Sequence, residues 1–386
     1  MRQSSLSTSN SERARTERLN RREFRRRITV ILLWMIGALF LIDAAVGFAF
    51  RRPSNPLTAP SSLQMYFDYG RSTEGKLRNY LGPTPEQDAS IMKAGWLANE
   101  CDIATSTPPG KLGIDIYGMS FSNHIANHME QLDPGLAIHR FAGPGAPPNH
   151  SYACFIRRTK ADLPRASVQI LGILASSIPQ METAGGLTSG FEAPQPFTYP
   201  RYSLDADGRL VGHSPTISTH AELREALADP AKWSAYLGDL AANDALFDRR
   251  IVQADIFDHS TIGRMIRRAL GQRVLRDRTA ALRGAKGFSD NPNIAPVLRA
   301  ILLDFAKQAR QAGERPVVIL IENRGYSGTL SAMAASTLRE NNIDFVSTSA
   351  IVSLDDTGNF LGDGHFSPAA DEKFARAVLE LLGRNR

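Results

Sequence analysis

The sequence of 386 residues has a formal net charge of +6, and residues 1–27 account for all of it, with nine arginines against three glutamates. The rest of the chain is neutral overall, which excludes the basic body expected of a nucleic-acid-binding protein. The length fits one elaborated domain with appendages.

Residues 28–50 form an apolar segment of 23 residues whose one charged side chain is Asp43. As a helix this segment would be about 34 Å long, enough to cross a hydrocarbon core of about 30 Å. The arginines of the 1–27 tail predict a cytoplasmic N-terminus and a periplasmic C-terminal domain, in a single-pass protein of the cell inner membrane. A cleaved signal peptide and a buried core helix are the alternatives. We expect Asp43 to be tolerated near the outer interface rather than to bind a partner helix.

Residues 51–108 are predicted to be a tether followed by a helical lead-in. The stretch 51–60 is rich in proline and polar residues, and 61–100 has a helical pattern interrupted near "GPTPEQ". The two cysteines, Cys101 and Cys154, can form one disulfide in an oxidising compartment. Two separate buried cysteines are equally compatible with the sequence.

From about residue 109 the pattern alternates between apolar strands and helices, which predicts an α/β domain over 109–386. The strands are expected at 112–117, 136–141, 168–174, 316–322 and 343–348. Each run is apolar on both faces, as in a parallel five-stranded sheet covered on both sides. A helix with an apolar stripe precedes the fourth strand, and a last helix begins at Ser367 and Pro368.

About 140 residues separate the third and fourth strands, too many for a crossover connection. We therefore predict a large insertion at about 180–290, irregular at first and helical over 219–285. Its basic amphipathic stretch "RMIRRALGQRVLRDR" is expected to be a solvated helix face. The alternative is a helix that lies on an anionic membrane surface.

The first candidate catalytic residue is Ser120, which follows the first strand and precedes a helix. Ligands of open α/β sheets gather at the carboxyl ends of the strands, and the free N–H groups of a helix start can stabilise an anion. His365 and Asp363 lie in the loop before the last helix, where a histidine can act as general base and a carboxylate can orient it. His124 and His128 have the i, i+4 spacing of metal ligands, but without a third ligand we expect no metal. No cofactor motif is present, and no cofactor is expected.

These residues carry a resemblance to a known family. "YGMSFS" at 117–122 and "DGHFSP" at 363–368 resemble the first and last motifs of the SGNH (GDSL-type) serine hydrolase superfamily. The resemblance implies a three-layer α/β/α sandwich in which Ser120 is the nucleophile and His365 and Asp363 complete the triad. "FAGPGAPPNHSY" resembles the family's oxyanion-hole segment, with Gly145 as the best match.

The chain departs from the family pattern in three places. "GMS" replaces "GDS", and the aspartate-to-histidine spacing is D-x-H rather than D-x-x-H. The asparagine expected after the third strand is absent, so Ser176 or Asn149 would have to bind the substrate oxygen in its place. Losing one oxyanion donor can cost roughly 3–4 kcal/mol of transition-state stabilisation.

The sequence therefore predicts a membrane-anchored, exported serine esterase or O-acyl-transfer enzyme that acts on an ester, with an envelope glycan ester as the substrate class suggested by the family. One alternative is a catalytically silent carbohydrate-binding or scaffold protein with envelope protein partners, which the missing asparagine favours. Another is a lipase-like enzyme that works on the membrane itself. No nucleic-acid partner is expected.

Overall fold

The computed structural model of the protein describes residues 6–161, 163–285 and 287–384. The first five residues of the predicted basic tail lie outside the described residues. Helix α1 (Leu6–Ala49) runs through the rest of the tail and the apolar segment. Its stretch Glu23–Ala49 is long and apolar enough to cross a membrane, and it is not buried against the rest of the protein. This exposure excludes the interpretation of α1 as a buried core helix.

Four short helices form the lead-in, as the sequence predicts. They are α2 (Ser62–Asp68), α3 (Thr73–Tyr80), α4 (Ser90–Lys93) and α5 (Leu97–Cys101). The predicted interruption at "GPTPEQ" lies between α3 and α4, where Pro85–Gln87 forms one 3-10 turn. Cys101 at the end of α5 is disulfide-bonded to Cys154, so the alternative of two separate cysteines is wrong.

The central element is a parallel five-stranded sheet, which confirms the predicted α/β class. Its strands, in chain order, are β1 (Leu112–Gly118), β2 (Leu136–Ala142), β3 (Val168–Leu174), β6 (Arg315–Ile321) and β7 (Asp344–Ser347). The spatial order is β2-β1-β3-β6-β7. The chain leaves β1 toward β2 and then returns to β3 on the other side, so the connections diverge at the carboxyl end of β1, where open α/β sheets bind ligands.

Helices cover both faces of this sheet. On one face lie α6 (Ser120–Leu132) and α14 (Pro368–Leu381), and on the other lie α7 (Pro148–Lys160), α12 (Ala295–Gln311) and α13 (Thr329–Glu340). Strand residues alternate between the two cores, so that Ile116 packs with α6 while Tyr117 packs with α7. Because helices cover both faces, the strand residues of both sets are mostly apolar, with Asp115 of β1 and Gln169 of β3 as buried polar exceptions.

The insertion between β3 and β6 is partly as predicted. Its helices are α8 (His220–Ala228), α9 (Pro230–Asn243), α10 (Arg249–Val252) and α11 (Thr261–Ala281). Before them lies an antiparallel hairpin of β4 (Arg201–Leu204) and β5 (Leu210–His213), which the sequence analysis did not predict. The turn residues "DADG" between two short alternating runs are the signal that could have indicated it.

The lead-in and the insertion build one helical subdomain, which consists of α2–α5 and α8–α11. Leu77, Met92 and Trp96 of the lead-in share a buried core with Trp233 and Leu237 of the insertion. The two segments are far apart in sequence, yet each covers the apolar face of the other. The lead-in is therefore part of the folded body rather than an extension of the tether.

Candidate active site

Ser120 lies at the carboxyl edge of the sheet as the first residue of α6. Strand β1 ends at Gly118, and a Cβ atom on Gly118 or on Gly172 of the neighbouring strand β3 would lie 2.1 Å from Ser122 Oγ. The two glycines therefore allow the start of α6 to approach the sheet closely. Ser120 is thereby placed in the first turn of α6, where the backbone N–H groups have no partner within the helix.

His365 and Asp363 meet Ser120 from the other end of the chain. The distance from Ser120 Oγ to His365 Nε2 is 2.8 Å, and Asp363 Oδ2 lies 3.1 Å from His365 Nδ1. With the imidazole proton on Nδ1, the ring donates to the carboxylate and accepts the serine hydroxyl. The three residues thus have the geometry of a nucleophile, a general base and a carboxylate that orients the base.

The short Asp-Gly-His spacing is accommodated by Gly364. Its φ of 90° lies in the left-handed region that glycine adopts without strain. The resulting tight turn lets Asp363 accept the backbone N–H of His365 at 3.1 Å while its other oxygen contacts the ring. These hydrogen bonds from His365 lower the pKa of Asp363, so this largely exposed carboxyl group is ionised at neutral pH.

Aromatic neighbours hold the His365 ring. Phe121 stacks on it with ring centroids 4.7 Å apart, and His124 lies on α6 with its ring 5.0 Å away. Phe366 supports Phe121 edge-to-face. Burial and the nearby His365 lower the pKa of His124, which favours the neutral ring beside the candidate base.

Gly145 and Ser176 follow the two strands that flank β1. The parallel register pairs Gly118 with Ala142, so the loop that carries Gly145 begins next to the loop that carries Ser120. On the other side, Ser176 lies two residues beyond β3 and is half-buried. The three strands therefore bring Gly145, Ser120 and Ser176 to the same edge of the sheet.

The side chain of Ser176 forms a hydrogen bond with a residue that follows the neighbouring strand. Asn323 lies two residues beyond β6, and its Nδ2 donates to Ser176 Oγ at 3.1 Å. The register pairs Leu174 with Ile321, so Ser176 and Asn323 occupy equivalent positions on adjacent strands. Because Ser176 Oγ accepts this hydrogen bond, its own O–H is free to donate to another acceptor.

Asn149 does not join these residues. Its side chain is fully buried and its Nδ2 donates to the carbonyl oxygen of Met181 at 2.9 Å. This hydrogen bond ties α7 to the segment after β3. The side chain of Asn149 is therefore engaged with Met181 and buried, rather than exposed to a substrate.

Two further observations bear on the chemistry of the site. In the part of the chain that the structure describes, no group of three or more His, Cys, Asp or Glu side chains is arranged to hold a metal ion. A groove of about 1040 Å³ lies between α7, α12 and the β4–β5 hairpin, and none of the residues that line it belongs to the Ser120–His365–Asp363 group. The groove is therefore separate from the candidate site.

No protein-family model matches the chain, and no curated protein matches it significantly.

Proposed function

We propose that this chain is a serine esterase or O-acyltransferase of the SGNH type, anchored in a membrane by α1. The observation that carries the proposal is the 2.8 Å contact between Ser120 Oγ and His365 Nε2, two residues separated by 245 positions in the chain. The proposal is also supported by the carboxylate of Asp363, which lies 3.1 Å from the other ring nitrogen of His365.

In the proposed reaction Ser120 Oγ attacks the carbonyl carbon of an ester, and His365 Nε2 takes the hydroxyl proton. Asp363 holds the Nδ1 proton and stabilises the imidazolium. When the tetrahedral intermediate collapses, the carbon–oxygen bond to the alcohol breaks and His365 returns its proton to that alcohol. An acyl group then remains on Ser120.

Water or a sugar hydroxyl resolves this acyl-enzyme. His365 takes a proton from the incoming oxygen as it attacks the acyl carbon, and then returns the proton to Ser120 Oγ as the bond between the acyl carbon and Oγ breaks. The first alternative gives hydrolysis and the second gives acyl transfer, with the same three residues in the same roles.

The negative oxygen of both tetrahedral intermediates requires donors. We assign the backbone N–H groups of Ser120 and Gly145 and the side-chain O–H of Ser176 to this role. Asn323 positions Ser176 by donating to its Oγ. In this arrangement two polar side chains, each two residues beyond one of two adjacent strands, replace the single asparagine of the family pattern.

The proposed setting is the periplasmic side of the cell inner membrane. The arginines before α1 favour a cytoplasmic N-terminus, and the Cys101–Cys154 disulfide fits an oxidising compartment. An enzyme held there meets the glycans of the envelope, so we propose an ester of an envelope glycan as the substrate class.

Labelling of the full-length, detergent-purified protein with a fluorophosphonate probe tests the proposal. The wild-type protein should react covalently, Ser120→Ala should not, and the matched variant Ser122→Ala should react like the wild type. Equal labelling of wild type and Ser120→Ala would refute the assignment of Ser120. A wild-type protein that does not react would favour a silent, carbohydrate-binding or scaffold role, which the missing asparagine also favours.

A further inference from the structure

An apolar surface lies at the start of α11 and in the turn before it. Five large side chains there are exposed, and we call them the α11 patch: Ile256, Phe257, Ile262, Met265 and Ile266. Ile256 is 79% exposed and Ile266 is 58% exposed, so neither belongs to a core. The expectation of a solvated polar face does not describe this end of the helix.

The charged residues of the same helical turns point inward. Arg264 forms an ion pair with Asp68 of α2, and Arg267 is 2% exposed and paired with the buried Asp258. A Cβ atom on Gly70 would lie 1.6 Å from the carbonyl oxygen of Arg264, so the lead-in also packs closely on this side. The start of α11 therefore has its arginines toward the protein and its apolar face outward, the reverse of a water-soluble helix.

This outward face lies beside α1. Asp43 Oδ1 of α1 accepts the backbone N–H of Ile262 at 2.7 Å, at the N-terminus of α11, where a negative charge is favourable. A Cβ atom on Gly47 would lie 3.2 Å from Thr261 Oγ1. Asp43 thus binds a helix of its own chain, contrary to the expectation that it is merely tolerated.

The position of Asp43 along α1 gives the depth of this contact. Asp43 lies four residues beyond the centre of the apolar run 28–50, which is about 6 Å along the helix axis. The half-thickness of a hydrocarbon core is about 15 Å, so the contact lies about 9 Å below its surface. Interfacial helices bury their apolar faces by about 5–10 Å, a matching depth.

We propose that the α11 patch inserts into the outer leaflet of the membrane that α1 crosses. The occupant is lipid, because the patch adjoins the apolar flank of α1 and its neighbouring arginines are already paired within the protein. The soluble domain is then fixed to the bilayer at two adjoining points and has one orientation on it. This inference concerns how the domain is held and does not depend on the proposed chemistry.

Depth-dependent quenching in the full-length protein tests the proposal. The native cysteines are disulfide-bonded, so Met265→Cys can be labelled alone with the environment-sensitive fluorophore NBD and reconstituted in phosphatidylcholine vesicles. The matched control is Asp207→Cys, at the exposed turn between β4 and β5. We expect a blue-shifted emission at Met265 that doxyl-labelled lipids quench, and neither effect at Asp207.

A Met265 label with the same water-like emission as the Asp207 label would overturn the proposal. A blue-shifted label that doxyl lipids do not quench would also overturn it, because protein rather than lipid would then cover the patch. Ile256→Cys, at the opposite end of the patch, gives an independent measurement should Met265→Cys fold poorly. The experiment measures no enzymatic activity, so its failure is distinguishable from failure of the proposed hydrolase.

Discussion

The proposed replacement of the family asparagine by two residues makes a quantitative prediction. Ser176→Ala removes a donor to the oxyanion, a loss that typically lowers kcat by about 10²–10³-fold. Asn323→Ala removes only the 3.1 Å hydrogen bond that positions Ser176. Such a hydrogen bond contributes about 1 kcal/mol, which corresponds to roughly a five-fold change in rate. We therefore expect a large effect at Ser176 and a small effect at Asn323.

The double variant distinguishes positioning from independent donation. If Asn323 acts through Ser176, removing both side chains should cost no more than removing Ser176 alone. The assay is hydrolysis of p-nitrophenyl acetate by the full-length protein, with Ser120→Ala as the background rate. Ser177→Ala is the matched control, because its buried hydroxyl donates to the carbonyl oxygen of Leu174 and not into the cleft.

Two results would refute this reasoning. Additive losses in the double variant would mean that Asn323 contacts the reacting atoms directly. A Ser176→Ala enzyme as active as the Ser177→Ala control would mean that the oxyanion donors lie elsewhere.

Three further predictions concern Asp363, the buried Asp371 in the first turn of α14, and the disulfide. Asp363→Asn should lower kcat for p-nitrophenyl acetate by about 10²–10⁴-fold, because an amide no longer favours the proton on Nδ1 of His365. An unchanged kcat would show that Asp363 does not take part in the reaction. Burial raises the pKa of Asp371 from 3.8 to about 7, so the folded state binds this proton more tightly than the unfolded state. The free energy of unfolding should therefore fall as pH rises from 4 to 7, by at most about 4 kcal/mol. In urea titrations at pH 5 and pH 8, the free energy of unfolding should differ less between the two pH values for Asp371→Asn than for the wild type. An equal difference in both proteins would contradict this prediction. Reduction of the Cys101–Cys154 disulfide, which closes a loop of 53 residues, should cost about 4 kcal/mol of stability, and an unchanged urea midpoint after reduction would show otherwise.

The sheet was predictable because its strands are buried on both faces. The predicted 168–174 strand coincides with β3, and the other four differ from the observed strands by one residue at one or both ends. The β4–β5 hairpin was missed because each strand has only four residues, two of them apolar, so that no continuous apolar run marks them.

The candidate site was predictable in outline and not in its supporting contacts. Alternating strands and helices require the loops after β1 and before α14 to open at the same edge, which brings Ser120 and His365 together. No local pattern connects Ser176 with Asn323, which are 147 residues apart. The periodicity of α11 likewise marks Ile262, Met265 and Ile266 as one face, but only the ion pairs of Arg264 and Arg267 show that this face points outward.

The shared core of the helical subdomain has a consequence for how the chain is made. The lead-in ends at Cys101 and the helices that cover it begin at His220, so about 120 residues separate the two halves. At about 5–20 residues per second, the lead-in is exposed for roughly 6–24 s before its partners are synthesised. Throughout that interval Leu77, Met92 and Trp96 lack these helices as a cover, which makes the nascent chain most prone to aggregation before its five-stranded sheet is complete.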